Sequence, residues 1–132
     1  MVDERRRARG GDRGAVAVEL ALLLPFVLAV LAGVIDFGLA FNAQIQLSQA
    51  AQAGARAAAL NFDHDTVVAR AQGASPGLDL TPDDVDATGC DPTTRTATVT
   101  VSHEIEIPVP IPSLGSTLDL NQKAVTPCTP VS

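Results

Sequence analysis

The sequence predicts an α+β protein. One long N-terminal helix crosses a membrane, continues outside it and packs on a small antiparallel sheet. Three observations carry that expectation. Residues 15–35 hold 21 positions and a single charge, Glu19. As a helix rising about 1.5 Å per residue, such a run covers roughly 32 Å, close to the hydrocarbon thickness of a bilayer. Beyond it, polar residues enter among alanines at helical spacing as far as Leu60, and later, over residues 95–107, apolar and polar residues alternate as in a half-buried strand.

The chain divides accordingly into a basic cytoplasmic leader (1–14), expected to be disordered, a long helix (15–60) with its transmembrane part at about 15–36, and a small extracytoplasmic α+β domain (61–132). Pro25 lies inside the apolar run and is expected to bend it or loosen a turn, which a membrane environment tolerates. Past Asp36, taken as the outer membrane boundary, Leu47, Ala50, Ala51, Gly54, Ala57 and Ala58 form a shallow apolar stripe. Ala50, Gly54 and Ala58 within it make a small-residue seam open to two uses, internal packing or close approach of another subunit.

Charge sets the orientation. The leader carries Arg5, Arg6, Arg7, Arg9 and Arg13, whereas after residue 35 only Arg56, Arg70, Arg95 and Lys123 face eleven acids. The positive-inside rule places the N-terminus in the cytoplasm and the remainder outside. The net charge of −6 describes that acidic outer portion and argues against nucleic acid as a partner. Both cysteines, Cys90 and Cys128, lie there too, where an oxidising compartment favours a disulfide over a free thiol pair. A metal site would need two more ligands, with only His64 and His103 to offer. No metal or cofactor is expected.

Composition limits the outer portion to one small domain. Phe62 is its only aromatic residue beyond Phe41, and the chain has no Trp or Tyr. About seventy residues build a marginal core without a staple or a supporting helix. Residues 61–63 are expected to end the long helix, with Asp63 or Asp65 capping a short helix that runs to Gln72 and stops at Gly73. Thr81 before Pro82 reads as a helix start of a single turn, followed by a short strand at 85–88. On the main strand (95–107) Ala97, Val99, Val101, Ile105 and Ile107 share one face with His103, opposite Thr96, Thr98, Thr100, Ser102, Glu104 and Glu106. Pro108, Pro110 and Pro112 should end that strand or confine its extension to an edge. A last strand is expected at 118–126.

The string Gly14-Ala15-Val16-Ala17-Val18-Glu19 sets a glycine immediately before position one and a glutamate at position five of an apolar helix. It resembles the processing site of type IV prepilins. The longer run RGAVAVELALLLPFVLAVLAGVIDFGLAFNAQIQLSQAAQAGARAAAL is similar to the TadE-like family of tight-adherence (Tad) pilus proteins, which are minor pilins or pseudopilins. The resemblance implies a pilin-like fold and a role in pilus assembly. It also implies cleavage of the Gly14–Ala15 bond by a prepilin peptidase, and partners among other pilins and membrane platform proteins. Leu20 stands where an aromatic residue is common in prepilins.

The chemistry of such a glutamate follows without the family. Cleavage after Gly14 leaves the amine of Ala15 as a cation at the membrane boundary, and Glu19 lies about 6 Å further along the axis. Pairing with a neighbour's amine sets axial register and offsets the cost of a buried carboxylate. The simpler alternative is an acid close enough to the interface to reach water.

Other residues point to no chemistry of their own. Asp79, Asp83, Asp84 and Asp86 lack the spacing of a calcium loop and read as turn and cap residues. Asp63-His64-Asp65 reads as capping, and His103 as packing or edge. No nucleophile–histidine–acid arrangement and no phosphate loop appears, so the chain is not expected to be an enzyme. Two other classes stay open: a single-pass membrane adaptor that keeps its leader, and a soluble secreted protein cut near Gly38-Leu39-Ala40.

Overall fold

The computed structural model describes residues 4–111 and 115–129, with side chains described over 14–108 and 115–129. Its elements are α1 (Glu4–Ala59), α2 (His64–Ala74), a 3-10 turn (Pro82–Asp84), β1 (Val85–Thr88), β2 (Thr96–Ile111) and β3 (Gly115–Pro127). The strands form one antiparallel sheet in the order β1-β2-β3. Internal contacts separate a first unit, Met1–Asp36, from a second, Phe37–Ser132. The α+β class stands as expected.

In the first unit, α1 starts at Glu4, not near Ala15. The leader expected to be disordered therefore continues the helix. Arg and Ala are good helix formers, and adding turns to an existing helix needs no new nucleus. The leader's arginine side chains, Arg5 to Arg13, lie outside the described residues. Pro25 sits inside α1 without ending it. Large apolar side chains from Val16 to Ile35 are exposed, and none of the most apolar stretch is buried within the chain. The run qualifies by length and composition to cross a membrane.

The second unit is built on the remainder of α1. Leu47, Ala50, Ala51, Gly54, Ala55, Ala57 and Ala58 are buried, and recur at three- and four-residue spacing. They form one core with Val67, Val68 and Ala71 of α2, Leu80, Val85 of β1, and Ala97, Val99 and Val101 of β2. Because α1 contributes mostly methyl groups, its backbone comes close to its neighbours. A Cβ added at Gly54 would meet Val99 Cγ1 at 3.1 Å, Val67 Cγ1 at 3.6 Å and Ala71 Cβ at 3.7 Å.

The helix stops for a stereochemical reason. Asn61 takes φ +57°, its N–H donates to Ala58 O (3.0 Å), and Phe62 N–H donates back to Ala57 O (3.3 Å). That pairing satisfies carbonyls left over at a helix end, with asparagine as the left-handed residue. Asp63 then caps α2. Thr66 N–H donates to its Oδ2 (3.1 Å) and Thr66 Oγ1 to its Oδ1 (2.8 Å). These bonds hold the Asp63 carboxyl below its ordinary pKa, the Thr66 hydroxyl bond contributing most. α2 runs past the expected stop at Gly73 and ends at Ala74, where the buried Ser75 Oγ donates to Ala71 O at 3.1 Å. The expected turn at Pro82 is also present. Asp84 Oδ2 accepts from Thr81 N (2.7 Å) and Thr81 Oγ1 (2.9 Å).

β2 is longer than expected and passes through Pro108 and Pro110 to Ile111. β1 pairs with it only between Thr88↔Thr98 and Val85↔Val101. Past Val101 that edge of β2 has no paired strand among the described residues, and there a residue lacking an N–H costs no ladder bond. Pairing with β3 runs from Thr96↔Pro127 to Glu106↔Thr117 and shifts register before Ile111↔Gly115. Pro112 lies outside the described residues. β3 also outruns its expected span at both ends, starting at Gly115 with φ +82°.

Cys90 and Cys128 form a disulfide, with Cα atoms 6.0 Å apart across 38 positions. It joins the loop after β1 to the end of β3. Cys90 Sγ also lies 3.6 Å from Ala59 O at the end of α1. The adjoining turn is held by Asp91, whose Oδ1 accepts from Thr93 N (2.7 Å) and Thr94 N (3.0 Å). Those amide donors lower the Asp91 pKa.

Candidate assembly site

Gly14, Ala15 and Glu19 all lie in α1 and are exposed. Nothing lies within 4 Å of the position a Cβ would take at Gly14. Ala15 and Glu19 are four residues apart in a helix, hence on one face, about 6 Å apart along the axis. Their neighbours Val16, Val18 and Leu20 are more than 60% exposed (63%, 62% and 64%). The site is therefore a single carboxylate within an uncovered apolar helix, and chemically it can offer an ion pair or a hydrogen-bond acceptor to a donor from outside its own unit.

The seam residues Ala50, Gly54 and Ala58 are buried in the second unit, facing α2 and β2. Of the two uses open to them, the structure shows internal packing. The closeness of Gly54 to Val99 explains why a residue without a side chain stands there. Asp36 ends the first unit, and its Oδ1 is buried without a hydrogen-bond partner among the described residues.

The remaining polar residues serve the fold. Asp84, one of the four aspartates near Pro82, closes the turn through Thr81, and its Oδ2 lies 3.6 Å from His103 Nδ1. The pair is ionic only when His103 is protonated. Among the described residues no three His, Cys, Asp or Glu side chains converge as a metal would need. Sequence reasoning missed the hydrogen bond from Gly77 N to Gln46 Oε1 (2.9 Å), which ties the loop after α2 to α1. A Cβ at Gly77 would sit 2.6 Å from that oxygen, so the glycine was the available clue. Reasoning from sequence also missed the exposure of Leu60 and Phe62, at 57% and 46%.

A long apolar N-terminal helix with a small three-stranded antiparallel sheet is an α+β arrangement consistent with a pilin-like fold. Residues 14–56, about a third of the chain, match the family described as TadE-like protein. The match bears out the resemblance carried by Gly14, Glu19 and the helix that follows. No curated protein and no solved structure matches the chain.

Proposed function

We propose that this protein is a minor pilin or pseudopilin that supports assembly of a tight-adherence pilus and has no enzymatic activity of its own. The N-terminus faces the cytoplasm, the apolar part of α1 lies in the membrane, and the second unit is extracytoplasmic. A prepilin peptidase cuts after Gly14, and Glu19 then pairs with the Ala15 amine of a neighbouring pilin. Other pilins and the membrane platform are the assembly partners. The observation that carries this reading is the Gly14/Glu19 spacing on an exposed helix inside the family-matched segment.

One observation favours a second reading, an unprocessed single-pass adaptor. The Gly14–Ala15 bond lies within α1, whereas a peptidase needs local unwinding to reach a peptide bond. Gly10, Gly11 and Gly14 ease that unwinding, since glycine is poorly held in a helix. Mass spectrometry of the mature N-terminus, on protein from its native envelope, separates the two readings. A start at Ala15 supports processing, and a start at residue 1 or 2 overturns it. Glu19→Ala is expected to leave membrane insertion intact and to reduce piliation. Normal piliation with that variant, where the gene is required, removes the proposed role of the glutamate.

A further inference from the structure

We propose that the second unit self-associates head to tail, a groove at the end of α1 receiving the acidic end of β2 from another copy. The contact is separate from processing and from Glu19, and stands or falls without them.

The groove is lined by Ala53, Arg56, Ala57, Leu60, Phe62 and Arg70. Its floor is apolar and its rims carry two arginines. Neither arginine has an ion-pair partner among the described residues, where His103–Asp84 is the one pair present. They are two of only four basic residues after position 35, set against eleven acids. Phe62, the last aromatic residue of the chain, lies half exposed here instead of in the core. Exposed aromatic and arginine side chains around an apolar floor are the usual anchors of a protein contact.

The complementary surface is on β2. Glu104 and Glu106 are exposed, alternate with the half-buried Ile105 and Ile107, and lead to the exposed Pro108. Glu104 stands directly opposite Asp119 of β3. Like charges facing each other across two strands are unfavourable, and a guanidinium from outside relieves them. Beyond Val101 that strand edge has no paired strand among the described residues, since pairing with β1 stops there.

The two surfaces lie at opposite ends of the unit. Cys90 touches the carbonyls of Ala58 and Ala59, while Val99 is level with Gly54, so β2 runs antiparallel to α1. From Val99 to Glu106 the strand advances about 23 Å away from the groove. One copy cannot close the contact on itself. Because donor and acceptor surfaces differ, the association is heterologous and repeats as an open chain or a ring.

The test uses the full chain in detergent and reads self-association by sedimentation at low and high salt. Wild type is expected to associate at low salt and to weaken at high salt. Arg56→Glu with Arg70→Glu, and separately Glu104→Arg with Glu106→Arg, are each expected to weaken self-association about tenfold or more. An equal mixture of the two variants restores it, because each then meets an opposite charge. A wild-type thermal unfolding transition, followed by far-UV circular dichroism, reports that the unit of each variant is folded. Arg56→Gln with Arg70→Gln serves as the milder groove variant, with a smaller loss expected. A monomeric wild type at low salt overturns the proposal. So do swapped variants that associate as wild type does, or a mixture of folded variants that stays dissociated.

Discussion

Two stretches of α1 use the same backbone conformation for opposite purposes. From Val16 to Ile35 the large apolar side chains face outward with nothing of the described chain over them, whereas past Phe37 the helix turns a face of alanine and glycine into a shared core. Apolar residues are large where nothing of the described chain covers them, and small where the chain's own strands are the neighbours. Hydrophobicity alone does not distinguish the two. Side-chain size and spacing do: Leu22, Leu23 and Leu24 run consecutively around the helix, while Leu47, Ala50, Ala51 and Gly54 keep to one side.

The contrast can be broken most forcefully at the staple. Replacing Cys90 and Cys128 together by serine removes a 38-position closure, with an expected loss of about 4 kcal/mol on the chain-entropy account. Thermal unfolding of the detergent-solubilised chain, followed by far-UV circular dichroism, should show an early loss of the sheet with the apolar helix retained. Loss of both signals together would erase the distinction between the regions.

A matched pair of truncations sharpens it. Leu47→Ala empties a fully buried site and should lower the stability of the second unit by about 3 kcal/mol. Leu28→Ala, in the uncovered part of the same helix, should change it by less than about 0.5 kcal/mol. Equal effects in denaturant titrations would mean that the apolar run supports the core after all. Gly54→Ala is a finer probe. Its new methyl meets Val99 at 3.1 Å, so crowding of about 2 kcal/mol outweighs the helix-propensity gain of about 1 kcal/mol. A slightly less stable unit is expected, and a stabilised one would show that Val99 yields freely.

The smallest effect is on acidification. The pKa values of Asp63 and Asp91 are lowered on folding by donors from Thr66 and from Thr93 and Thr94. A group shifted downward stabilises the fold above its unfolded value, and that contribution fades as pH falls through the folded value. Amide exchange at Thr66, Thr93 and Thr94 should therefore quicken only below the ordinary carboxylate range near 3.8. Asp63→Ala should remove that pH dependence at Thr66 alone.

Local chemistry made much of this fold legible. The span of β1, the Asp63 cap, the Thr81–Pro82 start and the alternation of β2 each follow from neighbours a few residues apart. The resemblance to a prepilin site was equally local, because Gly14 and Glu19 stand five positions apart in one short string. Distant partners hid the remainder. Nothing near Pro108 tells that pairing with β1 stops at Val85↔Val101. Nothing near Ala50 or Ala58 tells that their neighbours are internal ones. The Arg56–Arg70 groove joins residues of two helices whose approach depends on the turn at Asn61.

The covalent link between Cys90 and Cys128 has a mechanical consequence as well. It ties residues 90–128 into a ring that tension along the chain cannot open. If α1 is pulled against a load applied beyond Cys128, the link bypasses residues 91–127 and leaves residues 60–89 to unravel between α1 and the ring. That stretch can lengthen by at most about 100 Å. The link thus acts as a stop: the unit yields once, through α2 and β1, and then bears force through a chemical bond.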